Sequence, residues 1–144
     1  MDKSFFDFHA DDFAVSSSSS LDIVHLAEKG VLDSISIIPN MSAFSSCVAA
    51  GDSLGSLKKS VHLNFMEGKS CLDRAEIPDL VDEDGFFKVS WGSLLSANFN
   101  PAKRPKLKKQ LTAEIIAQVE KCIAAGLADP MALRLDSHQH TQSN

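Results

Sequence analysis

Three short segments hold the side chains able to do chemistry: His9-Ala10-Asp11-Asp12-Phe13, Val61-His62-Leu63-Asn64 and Leu135-Asp136-Ser137-His138-Gln139-His140. Each puts carboxylates or imidazoles at the downstream end of a short apolar stretch, where a parallel sheet delivers catalytic groups to one rim. Asp11 and Asp12 are neighbours on an extended chain and point in different directions, so one carboxylate could bind a metal while the other accepts a proton. His138 and His140 are two apart and face one side, as does Asp136. Either both imidazoles approach one centre, or one ligates while the other packs behind it. Alone, an Asp-Asp pair is usually a solvated loop and a single His62 usually a structural residue. Together, one carboxylate and two imidazoles from three strand ends match a facial metal site with open positions.

The elements that must position these groups follow from periodicity. Ser4–Phe8 reads as a strand feeding into His9–Asp12. Ser16–Ser20 reads as a helix start, with serine hydroxyls capping orphan N–H groups, and Leu21, Val24, Leu26 and Ala27 supply its apolar face. Ser34–Ile38 is a second strand ended by Pro39-Asn40, Ala43–Ala50 a short helix, and Ser60–Phe65 a third strand. Asp82–Val89 reads as a turn at Asp84-Gly85 and a short extended piece. Lys106–Ala125 is the clearest helix, with Leu111, Ile115, Ile116, Val119, Cys122 and Ile123 on one face. Lys108, Lys109, Glu114, Glu120 and Lys121 occupy the other. Ala132–Leu135 begins a fourth strand. Strands alternating with helices predict parallel pairing and right-handed crossovers. The expected fold class is therefore α/β, an incomplete TIM-like β/α barrel of about four parallel strands with intervening helices. Residues 1–144 form one domain, against the roughly 250 residues of a complete barrel.

Composition excludes several classes of function. A net charge of −5 lacks the basic surface that nucleic acid requires. No stretch approaches the roughly 18 uninterrupted apolar residues that span a bilayer, and the first residues (MDKSFFDF) lack the pattern of a signal peptide. Cys47, Cys71 and Cys122 are odd in number and widely spaced, which argues against a disulfide framework and for a reducing cytoplasm. Lys103–Lys109 (KRPKLKK) reads as a solvated helix start, and Phe86, Phe87 and Trp91 as packing residues.

In this order and spacing, ADDFA (Ala10–Ala14), SVHLN (Ser60–Asn64) and DSHQH (Asp136–His140) resemble the segments of the YdjC-like carbohydrate deacetylases, a family that includes chitooligosaccharide deacetylases. Val31–Asn40 (VLDSISIIPN) is similar to the family's second strand, and Gly126–Asp136 to its approach to the fourth. The resemblance covers nearly the whole chain but about the N-terminal half of a typical member. It implies a metal-dependent hydrolase that removes an N-acetyl group from an amino sugar or chitin-type oligosaccharide. It also implies that Asp12, His62 and His138 bind a divalent metal and that Asp11 is the catalytic base. His140 lines the site without an assigned role. Family members are usually assigned magnesium, whereas two imidazoles favour zinc or another transition metal.

The chain departs from the family pattern at Ala14, where members have glycine; if that backbone needs a positive φ, alanine costs stability. The family fold continues beyond DSHQH and brings a further histidine that protonates the leaving amine. The expectation is thus a truncated chain, with a non-catalytic remnant that binds metal without turnover as the alternative. Unpaired strand edges would favour a homo-oligomer.

Overall fold

The computed structural model describes residues 6–138. Four strands, β1 (His9–Phe13), β2 (Ser34–Ile37), β3 (Lys58–Leu63) and β4 (Leu135–Ser137), form one sheet in the order β1-β2-β3-β4, each pair parallel. Helix α1 (Ser17–Glu28) connects β1 to β2, and α2 (Phe44–Val48) with a 3₁₀ turn at Gly51–Leu54 connects β2 to β3. A longer excursion holding α3 (Trp91–Phe99) and α4 (Arg104–Ala124) connects β3 to β4. No helix among the described residues is long and apolar enough to cross a membrane.

The sheet has one apolar and one polar face because β2 alternates strictly, Ser-Ile-Ser-Ile. Ile35 and Ile37, with Val61 and Leu63 from β3, pack against Ile23 of α1, Phe44 and Cys47 of α2, and Cys122 of α4. Ser34, Ser36, Ser60 and His62 take the other face and are also buried. Parallel sheets covered on both sides are usually apolar throughout. Here polar side chains bond one another instead, and this inner face carries the site.

Helix α1 is entered through the serine run. Ser16 caps it by accepting Ser19 N–H, and Ser20 Oγ donates to the Ser16 carbonyl at 2.7 Å. The excess of serines over a simple cap is used: Ser20 Oγ also accepts the Ala14 amide at 2.9 Å, tying the end of β1 to the helix start.

Two expectations need correction, and one helix carried no expectation. The first strand starts at His9, later than Ser4–Phe8; residues 4 and 5 lie outside the described range, and Phe6 and Phe8 are largely exposed. Phe13, fully buried and paired with Ile37, is the residue that anchors β1. Helix α3 went unread because Gly92 and its small polar residues hide any period. Its signal is the capping box in which Ser90 and Ser93 bond each other's backbone N–H. Finally, α4 faces inward differently from its hydrophobic pattern: Ile116 is half exposed, whereas Glu114 is fully buried.

That buried stripe of α4, Gln110, Glu114 and Gln118, is spaced by four and receives the β3–α3 excursion. Glu114 accepts the amides of Cys71 and Leu72 at 2.8 and 3.1 Å and a bond from Gln118. Gln118 bonds both the N–H and the C=O of Asn64. The loop after β3 is therefore held by side-chain groups in place of a strand ladder. Two buried amides without their acceptor would cost about 2–4 kcal/mol together. Glu114→Ala should accordingly lower the urea unfolding free energy by that amount, and Glu120→Ala on the outer face should leave it nearly unchanged. Equal losses in the two variants would contradict this packing.

Candidate metal centre

Simple alternation along β1 would send Asp11 and Asp12 to opposite faces. The β1–β2 register instead shifts between Ala10 and Phe13, and Asp12 takes φ +63°, a left-handed conformation that aspartate tolerates. The irregularity turns both carboxylates toward one imidazole. Asp11 Oδ1 lies 3.7 Å from His62 Nδ1, and Asp12 Oδ1 lies 3.5 Å from His62 Nε2. Ala14 follows at φ +77°, the condition under which alanine in place of glycine costs about 1–2 kcal/mol.

Ser36 decides which nitrogen of His62 carries the proton. Its hydroxyl lies 2.8 Å from Asp11 Oδ1 and 2.5 Å from His62 Nδ1. Burial raises the Asp11 pKa, but the Ser36 bond and the neighbouring His9 and His62 outweigh it and leave the carboxyl below its ordinary range. An ionised carboxylate only accepts, so Ser36 donates to Asp11 and accepts Nδ1–H from His62. His62 Nε2 is then a bare lone pair. It is buried and has no hydrogen-bond partner among the described residues. An orphaned ring nitrogen held by an orienting bond on its other side is the usual arrangement of a metal-ligating histidine.

His138 stands just past β4, with its Nδ1 2.9 Å from Asp12 Oδ1 and its ring edge-on to His62 at 5.4 Å between centroids. Asp12, His62 and His138 each offer a ligand atom within 4.8 Å of the others, so this group could hold a metal ion. The chemistry fits one: a carboxylate oxygen, a neutral imidazole nitrogen and a second imidazole, all from separate strand ends. A second such group joins His9, Asp11 and Asp136. Asp136 lies in register with His62, yet its carboxylate faces His9 at 4.0 Å and not the Asp12 group. His140 lies outside the described residues.

Several residues of the site carried no role in the sequence reading. Asn64 accepts the amides of Met66 and Glu67 and donates to Asn40 and to the Glu67 carbonyl. This brings Glu67 Oε1 to 3.7 Å from His138 Nε2. Gly68 is required in that turn, because a Cβ there would meet Met41 sulfur at 2.9 Å and φ is +73°. The signal available was the pair of buried asparagines just past β2 and β3, Asn40 and Asn64. Cys71 and Cys122 are poor nucleophiles, since burial pushes both thiols up to about 12.

Residues 8–144 match the sequence profile of the YdjC-like protein family. The chain belongs to that family. A carbohydrate deacetylase from Brevibacillus brevis is 28% identical over 136 residues, 94% of this chain and 49% of the relative. One from Thermoanaerobacter pseudethanolicus is 28% identical over 137 residues, 94% of this chain and 50% of its own length. The chain therefore spans about half the length of the curated relatives it matches. A crystal structure of a candidate cellobiose-phosphate cleavage protein from Enterococcus faecalis V583 superposes with a TM-score of 0.71 over 96% of this YdjC-like chain and 50% of that one. At 23% identity that likeness speaks for the α/β fold.

Burial, more than its three aspartates can offset, depresses the His62 pKa below its ordinary 6.5. The unfolded chain therefore takes up a proton that the folded chain refuses, and stability present above about pH 6.5 is lost as the pH falls. In chelator-treated protein the urea midpoint should drop between pH 7 and pH 5, more steeply than in His62→Gln. Identical slopes would contradict a buried, neutral His62.

Proposed function

We propose that Asp12, His62 and His138 of this YdjC-like protein bind a divalent cation and that Asp11 acts as base in hydrolysing the N-acetyl group of an amino sugar or chitin-type oligosaccharide. The observation that carries this reading is the buried His62 Nε2, grouped with Asp12 and His138 and without a hydrogen-bond partner among the described residues. The relatives named carbohydrate deacetylases support the substrate class. The donor set, two nitrogens and one oxygen, suits zinc, manganese or cobalt better than magnesium.

When bound, the cation would acidify a water and polarise the acetamide carbonyl. The chain's own residues set up the rest. Ser36, His9 and His62 all approach Oδ1 of Asp11, which leaves Oδ2 to take the proton of the attacking water. The Asp11 side chain is 60% exposed, so a glycan can reach it from the open end of the sheet. The proton it takes is the one the leaving amine needs as the C–N bond breaks and acetate departs. Buried Ser36 keeps Asp11 ionised and His62 in the ligating tautomer with a single hydroxyl.

Acetate release from N-acetylglucosamine oligomers and bound metal, measured separately, test the proposal. Asp12→Asn and His62→Gln should lose turnover and the cation held between Asp12, His62 and His138. Asp11→Asn should retain the cation held by Asp12, His62 and His138 and lose about 10²–10⁴-fold in kcat. Full cation binding by Asp12→Asn, or full turnover by Asp11→Asn, would overturn it.

A further inference from the structure

The Asp–Ser–His relay that prepares His62 occurs twice. Two residues earlier on β2, Ser34 Oγ donates to Asp7 Oδ1 and lies 2.6 Å from His9 Nδ1. With its own hydrogen given to Asp7, Ser34 takes Nδ1–H from His9, as Ser36 takes it from His62. His9 Nε2 faces two carboxylates: Asp11 Oδ1 at 3.1 Å and Asp136 Oδ2 at 4.0 Å. Two anionic oxygens gathered at one imidazole edge call for a positive charge among them.

We propose that His9, Asp11 and Asp136 form a second divalent-cation site, so that the inner face of the sheet carries a pair of cations flanking Asp11. The three ligand atoms lie within 4.8 Å of one another, the same closeness as in the Asp12 group. The site has an orienting shell of its own in Ser34 and Asp7, the feature that separates a ligating imidazole from a chance neighbour. It borders a cavity of about 260 Å³ lined by Asp7, Ser34, Ser60, Arg134 and Leu135, which gives a hydrated ion access. The donor set of one nitrogen and two oxygens is harder than that of the first site, so manganese suits it well. Asp11 serves both centres through Oδ1: it accepts the Ser36 hydrogen bond that sets His62, and it contributes a ligand to the second ion. The inference goes beyond the hydrolytic reading and does not require turnover.

Manganese alone is the probe, titrated by calorimetry and by electron paramagnetic resonance into chelator-treated protein. Wild type should bind two equivalents and show the broadened signal of two coupled ions. Asp136→Asn should bind one equivalent with the uncoupled spectrum, and so should Asp12→Asn, each losing a different ion. Ser34→Ala, which removes only the orienting hydroxyl, should weaken the second equivalent about tenfold or more and leave the first unchanged. A single equivalent in wild type that survives Asp136→Asn would overturn the second site while sparing the first; it would mean that the charge among His9, Asp11 and Asp136 is a proton. A single equivalent that survives Asp12→Asn but not Asp136→Asn would sink the proposed catalytic centre and keep this one.

Discussion

One hydroxyl group governs the chemistry of this protein. Ser36 stands between an anionic carboxylate and an imidazole, and because Asp11 cannot donate, the direction of both hydrogen bonds is determined. Everything downstream depends on that direction. It leaves His62 Nε2 as a lone pair inside the protein, it keeps Asp11 charged, and it separates the tasks of two adjacent aspartates. A side chain of two heavy atoms does this because it is fully buried on a strand, where water cannot offer an alternative partner.

The fold serves that hydroxyl in two ways. Alternation along β2 points Ser34 and Ser36 inward and Ile35 and Ile37 toward the helices, so a single four-residue strand builds the core and orients the site. The irregularity at the end of β1 supplies what alternation alone could not, since Asp11 and Asp12 must reach opposite nitrogens of one ring. Its cost is two non-glycine residues with positive φ, Asp12 and Ala14, and the serine run of α1 helps to offset it by accepting the Ala14 amide. Strain of this kind, concentrated beside the reacting groups and held by its surroundings, is common where function dictates backbone shape.

Much of this was legible in the chain. The strand-ending motifs marked the three segments that meet, and the alternation of strands and helices predicted a parallel sheet, because both signals are local. Ala14 also raised the question of a positive φ before its backbone was seen. What could not be read was mainly non-local. Ser36 is one of many serines until β1 is laid beside β2, and His9 acquires meaning only when Asp136 arrives from the far edge of the sheet. Glu114 was assigned to solvent because a carboxylate on a helix usually is. Its burial is stabilised by two amides from a loop more than forty residues away in sequence, which no helical period encodes. Helix α3 was missed for the opposite reason: its caps are local, but Gly92 and a run of small residues obscured them.

The direction of the Ser36 hydrogen bonds is open to direct observation. Long-range proton–nitrogen correlation spectra of metal-free protein at neutral pH report which imidazole nitrogen of each histidine carries hydrogen. His62 should show hydrogen on Nδ1 and a bare Nε2, and the Ser36→Ala variant should lose that preference. A His62 protonated at Nε2 in the wild-type protein would contradict the account, because the lone pair that the cation needs would then be absent.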